Sequence, residues 1–235
     1  MDRPTYGLIG RGRLATHLAR YFQLEKLPYR QWHRNDPEPL RVIIEGCDVL
    51  LLAISDDAIE PFVAANPAVR DRTVVHFSGS LVVDQAHGLH PLMTFGPELY
   101  DHETYRAIPF VGETGGPSFG EVFPTLGNPS WVLDADHKPL YHALCVLAGN
   151  FTTMLWNKAF ADFEQRLGLP REVLLPYLER TVANTVAAGE SALTGSLARG
   201  DQLTIDRDLA ALEGDSYREV YRAFARAFAH EEVGP

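Results

Sequence analysis

The sequence predicts an α/β fold in which a parallel sheet domain is followed by an all-helical C-terminal domain. Three observations predict it. Short β-forming runs alternate with helical patterns through the first 133 residues, one of these runs is apolar without interruption, and no strand pattern returns after Asp134. A chain of 235 residues with 46% hydrophobic and 22% charged residues has the apolar content for such cores.

The elements follow in order. Tyr6-Gly7-Leu8-Ile9 reads as a short buried strand. Residues 12–24 place Leu14, Leu18, Tyr21 and Phe22 on one helical face, with Pro28 as the stop, and residues 29–33 form the second strand. DVLLLAI at 48–54 is the pattern of a central strand covered on both faces. Ser55-Asp56-Asp57 supplies capping residues for a helix through Ile59, Phe62 and Val63. Thr73-Val-Val-His-Phe77 is another buried strand, with the turn Ser78-Gly79-Ser80 beyond it. Residues 112–129 are rich in Gly and Pro, and SWVL at 130–133 reads as the last strand.

From 138 to 167 a long helix is apolar nearly all round, which predicts burial in a bundle or against another subunit. Further helices are expected at about 171–190 and 204–230, around the loop Thr194-Gly-Ser-Leu-Ala-Arg-Gly-Asp201. The domains are therefore placed at 1–133 and 134–235.

The turn after the first strand reads Gly10-Arg11-Gly12-Arg13-Leu14-Ala15, a G-x-G-x-x-A pattern. Such a turn bends tightly at its first glycine and lets a pyrophosphate approach the backbone at its second. Its small third residue packs helix on strand, so it marks a Rossmann-type dinucleotide site. Helix N–H groups and the helix dipole would face the phosphates. Four strand ends (Gly10–Gly12, His33–Arg34, Ser55–Asp56 and Ser78–Ser80) are polar, where ligands bind parallel sheets. The second strand ends Gln31-Trp32-His33-Arg34-Asn35, with no acid before Asp36. An acid there would select NAD through the ribose hydroxyls, whereas Arg34, 24 residues after Gly10, suits the 2′-phosphate of NADP. Gly10, Arg11, Gly12, Arg13, Leu14, His33, Arg34, Ser55 and Ser78 are the expected cofactor-binding residues.

The net charge of −10 argues against a nucleic-acid surface, yet residues 1–41 carry a local +4 around the glycine turn, which suits a small polyanion. No run is apolar enough to span a membrane, and the N-terminus lacks a signal-peptide layout. Cys47 and Cys145 sit in apolar stretches as core thiols, consistent with a reducing cytoplasm. Asp84, His87 and His90 have poor metal-ligand spacing on an expected loop, so no metal is expected.

The stretches IGRGRLATHLA, LLAISDDAI, HFSGS, LHPLMTF, LYHALCVLAGN and LTGSLARGD, spread from about residue 5 to 225, resemble a bacterial group of Rossmann-like oxidoreductase homologues. The C-terminal helical domain of that group is of unknown function. The group is related to pyrroline-5-carboxylate reductase, ketopantoate reductase and the 6-phosphogluconate dehydrogenase-like C-terminal fold. The resemblance implies a nicotinamide cofactor, a homodimer through the C-terminal helices and a site in an interdomain cleft. The sequence departs from the group at Ser55, where a proline is usual, and at Ser196, where T-G-P becomes T-G-S. The segment between Arg34 and Cys47 is also short, which removes or reduces one peripheral unit.

Hydride transfer to C=O or C=N needs a proton donor for the heteroatom. Relatives place a lysine four residues before an asparagine on the long helix. With Asn150 in the asparagine position, the lysine position is Val146, so the usual donor is absent. His142, roughly 80° from Asn150 on an ideal helix, and His90 are the candidate replacements. His90, His142 and Asn150 form the expected catalytic set, and a histidine donor would make reduction fall above neutral pH. Thr194, Arg199 and Asp201 are the expected substrate-binding residues. The reading is an NADP-dependent oxidoreductase acting on a small carbonyl or imine. The alternative is a non-catalytic NADP-binding sensor, and a methyltransferase is disfavoured by the absent ribose acid.

Overall fold

The computed structural model describes residues 3–231. Seven strands, β1 (Tyr6–Ile9), β2 (Tyr29–Trp32), β3 (Val49–Leu52), β4 (Thr73–His76), β5 (His87–Pro91), β6 (Phe110–Glu113) and β7 (Ser130–Leu133), form one sheet. Their order is β2-β1-β3-β4-β5-β6-β7. All pairings are parallel except β5 with β6. The strand order reverses direction between β1 and β3, where an α/β sheet opens a crevice for ligands.

The uninterrupted run of β3 has a direct cause. Val49 and Leu51 join the core on one face with Tyr6, Phe22 and Phe123, while Leu50 and Leu52 join Ile43, Ile59 and Val63 on the other. Helices α1 (Arg13–Glu25), α4 (His102–Ala107) and α5 (Phe119–Val122) contribute to the first core. Helices α2 (Leu40–Glu45) and α3 (Asp56–Ala65) contribute to the second. The six-residue α2 is all that the short segment between Arg34 and Cys47 provides.

The structure corrects several expectations. His87 and His90 lie in a strand, β5, because its main chain pairs with both β4 and β6. The long helix is not one ideal helix. It runs as α6 (Lys138–Cys145), a π-helical stretch over Val146–Phe151, and α7 (Thr152–Arg166). The wider π turn resets the phase between His142 and Asn150, so the 80° relation fails. Nor is the helix buried within the chain: Leu140, Leu144, Leu147, Phe151 and Met154 are all exposed.

The chain divides into two compact units between Leu155 and Trp156. The second contains α8 (Leu175–Ala188), α9 (Gly195–Ala198), α10 (Gln202–Ala211) and α11 (Tyr217–Glu231). The expected helix over 204–230 is thus broken. Gly214 adopts a positive φ of 79°, and Asp215 accepts the Tyr217 N–H at the start of α11. The Asp215 carboxylate also accepts Lys158 and Arg166 of α7, at 2.7 and 2.8 Å.

Candidate active site

The glycine turn is built as its residue types require. Gly10 has φ +128°, and a Cβ there would lie 2.1 Å from the Ala53 carbonyl oxygen, so only glycine fits. Gly12 is the opposite case, because a Cβ would meet nothing within 4 Å. It caps α1 without any side-chain hydrogen bond, and the first turn of the helix carries no acid. The opening N–H groups of a 13-residue helix therefore face open space beside the exposed Arg11 and Arg13. Such an opening is suited to a phosphate. It opens into a cavity of about 860 Å³ lined by Gly10, Arg11, Gly12, Arg13, Leu14, His33, Arg34 and Ser55. Eight of the nine expected cofactor residues are thus brought together, and the residues present fit a dinucleotide.

At the end of β2, Asp36 folds back on the strand. Its carboxylate accepts the His33 N–H at 2.8 Å and lies 3.3 Å from the Arg11 guanidinium. His33 Nδ1 is 2.7 Å from Asp36 Oδ1 but off the hydrogen-bond direction. These contacts, those with His33 first and Arg11 after, hold the Asp36 carboxyl below its usual pKa. Arg34 remains exposed. Ser55 occupies the cap position of α3 but makes no capping bond.

The ninth expected residue, Ser78, lies at the next strand end. It is buried, and its Oγ donates to Asp56 Oδ2 at 2.6 Å while accepting the Leu81 N–H at 3.1 Å. Its hydroxyl is occupied in shaping the turn. Gly79 beside it is enclosed by two histidines: an added Cβ would lie 3.0 Å from His142 Cδ2 and 3.3 Å from His90 Cδ2. His90 and His142 therefore converge on the end of β4. Tyr141, which sequence reasoning passed over as an apolar helix residue, joins them with its hydroxyl 2.7 Å from His90 Nδ1. Burial, then the charges of His142 and Lys138, push the His90 pKa down to about 4. The imidazole is neutral at pH 7.

Behind this cluster is a buried charged pair. Lys138 Nζ donates to Glu113 Oε2 at 2.7 Å, and Glu113 Oε1 accepts the Gly88 N–H at 2.8 Å. His76, fully buried on β4, accepts the Ser78 N–H at Nδ1, while its Nε2 has no partner. Burial and the Lys138 charge take its pKa down to about 4. The signals for these residues were ordinary ones: a histidine within an apolar strand, an acid ending one strand, and a lysine before an apolar helix.

Asn150 is exposed, so its amide needs no buried partner. Thr194, Arg199 and Asp201 lie in the second unit. Thr194 precedes α9, Arg199 is exposed, and Asp201 caps α10 by accepting the Thr204 N–H at 3.1 Å.

Residues 113–228 match a family described as Domain of unknown function (DUF2520). Among solved structures, the chain is similar to a Bacteroides fragilis protein assigned as an NADP oxidoreductase, with TM-score 0.76 and 21% identity over 96% of this chain and 98% of that one. The fold is of the Rossmann type. An imine reductase from Myxococcus stipitatus in complex with NAD+ is similar with TM-score 0.60 and 16% identity, over 99% and 95% of the two chains. A reductive aminase from Aspergillus terreus in complex with NADPH gives TM-score 0.60 and 15% identity, over 100% and 89%. Among curated proteins, none matches the chain. No described helix is long and apolar enough to cross a membrane.

Proposed function

We propose that the protein is an NADP-dependent oxidoreductase that reduces a small carbonyl or imine compound. The observation that carries this reading is the open N-terminus of α1 at Gly12, set in a cavity that Arg11, Arg13 and Arg34 make basic. When bound, the reduced nicotinamide supplies the hydride. The backbone around Gly10 and Gly12 binds the pyrophosphate, and Arg34 takes the 2′-phosphate. The ring cluster around Gly79 borders the reacting carbon at the carboxyl end of the sheet. The working form is assigned as a homodimer through the C-terminal helices.

The test is NADPH oxidation by the purified full chain with 1-pyrroline and with pyruvate as probes, alongside NADPH titration calorimetry. Binding with oxidation supports the enzyme. Binding without oxidation of any probe in a broad keto-acid and cyclic-imine screen supports the sensor reading, which Val146 in the place of the relatives' lysine favours. Absence of binding overturns both.

A further inference from the structure

We propose that Tyr141 is the proton donor of this site and that the His90 imidazole holds its hydroxyl in place, an assignment that rests on the hydride-transfer reading above. The geometry comes from two fixed elements. His90 is paired opposite Val111 within β5, and Tyr141 lies in the first turns of α6, next to the His142 ring that packs on Gly79. The Tyr141 hydroxyl is 2.7 Å from His90 Nδ1, with the two rings nearly perpendicular at 83°. Both side chains are half-buried rather than sealed in the core.

A histidine donor would have to be an imidazolium. The groups that face His90 are His142 and Lys138 from α6 and Asp56 from α3. Burial and the first two hold it neutral, against the opposing pull of Asp56. The phenol has the reverse property. Burial, followed by its contact with Cys145 one turn along α6, raises its pKa, so it keeps its proton throughout the neutral range. It therefore holds a transferable proton without prior titration, and the raised pKa makes it a weaker acid that needs the His90 Nδ1–H to stabilise its phenolate.

The step balances as follows. A bound reduced nicotinamide would supply the hydride that forms the C–H bond at the carbon of the C=N or C=O group, and would itself be oxidised. The π electron pair moves to nitrogen or oxygen, which takes the Tyr141 hydroxyl proton. His90 Nδ1–H donates a hydrogen bond to the phenolate oxygen until a proton from water restores the phenol. This sequence requires the Nδ1–H tautomer of His90, since the other tautomer would commit the tyrosine proton to the imidazole.

Nitrogen NMR of the full chain labelled at histidine reads that tautomer without cofactor or substrate. The expected result is a neutral Nδ1–H form of His90 persisting to about pH 5, lost in Tyr141→Phe. A wild-type Nε2–H tautomer overturns the assignment. With NADPH and 1-pyrroline, Tyr141→Phe is expected to lower turnover about 10²–10⁴-fold, with its thermal stability and NADPH affinity retained. Wild-type turnover is expected to stay level between roughly pH 6 and 9, below the titration of a phenol. Full turnover by Tyr141→Phe, or a wild-type decline centred near neutrality, overturns the donor role. If the tautomer is as expected but the wild type transfers no hydride in the broad screen, the functional reading fails and the donor role falls with it.

Discussion

Lys138 and Glu113 meet at 2.7 Å with both side chains almost sealed from solvent. The pair joins the start of α6 to the end of β6, and so fixes the origin of the helix that carries Tyr141 and His142. Gly88 makes room for it, because a Cβ at that position would lie 2.2 Å from Lys138 Nζ. Burial alone would raise the Glu113 pKa. The Lys138 and Gly88 hydrogen bonds outweigh it and hold the carboxyl below its usual value.

Breaking this pair from one side leaves a buried charge without its partner. Lys138→Met is therefore expected to destabilise the protein by about 3–5 kcal/mol, and Lys138→Met with Glu113→Leu to recover much of that loss. Urea unfolding of both variants measures it. A single variant within about 1 kcal/mol of wild type would show that solvent reaches the site.

The buried His76 sets an acid limit on stability. Its folded pKa of about 4 lies below the ordinary value of 6.5, so the unfolded chain takes up the proton first. The stabilisation is complete above about pH 6.5 and drains away as pH falls towards 4, on the order of 3 kcal/mol in all. Glu113, also lowered, adds a further loss at still lower pH. Melting temperature measured against pH is expected to fall steadily below 6.5 in wild type and less steeply in His76→Asn, whose Oδ1 can still accept the Ser78 N–H. Parallel curves would remove His76 from the account.

The second unit has little core of its own. Among its described hydrophobic residues only Leu174 and Ile205 are buried, while α8 exposes Tyr177, Val182 and Val186. Exposed apolar side chains of this kind suit an interface, and a second copy of the chain is the proposed occupant. Light scattering is expected to give twice the 26.1 kDa chain mass at micromolar concentration. Val186→Glu should shift the species towards monomer. A wild-type monomer at that concentration would contradict the assignment.

Periodicity and turn chemistry made the sheet legible, because β1, β3 and β4 are apolar runs closed by polar turns. The glycine turn could be read for a related reason, since Gly10 answers a local steric demand against the Ala53 carbonyl and Gly12 leaves the helix terminus open. The β5 strand was hidden, since His87-Gly88-Leu89-His90-Pro91 has the composition of a loop and becomes a strand only between two partners. Tyr141 looked like one more apolar residue in a helix, and nothing local to it announces His90, 51 positions away. The apolar circumference of residues 138–167 was correctly seen. Its burial is not met within one chain, where Leu140, Leu144, Leu147, Phe151 and Met154 stay exposed.

The proposed preference for NADPH over NADH rests on Arg34 and Asp36. A free carboxylate at the end of β2 would accept the ribose hydroxyls and repel a 2′-phosphate. Asp36 is not free, for it is bound by the His33 N–H and paired with Arg11. Arg34 is exposed at the rim of the same cavity, with a planar fork suited to phosphate. NADPH is therefore expected to bind at least about tenfold tighter than NADH. That ratio needs only ~1.4 kcal/mol, modest for a charge-assisted arginine–phosphate contact. Arg34→Ala should remove most of the preference by weakening NADPH and leaving NADH nearly unchanged. Asp36→Asn should weaken neither cofactor through the ribose, since the carboxylate is already engaged. Calorimetric titration of both dinucleotides into wild type and the two variants decides the matter. Equal wild-type affinities, or an Arg34→Ala variant that keeps the full preference, would show that the 2′-phosphate is not read at this corner of the sheet.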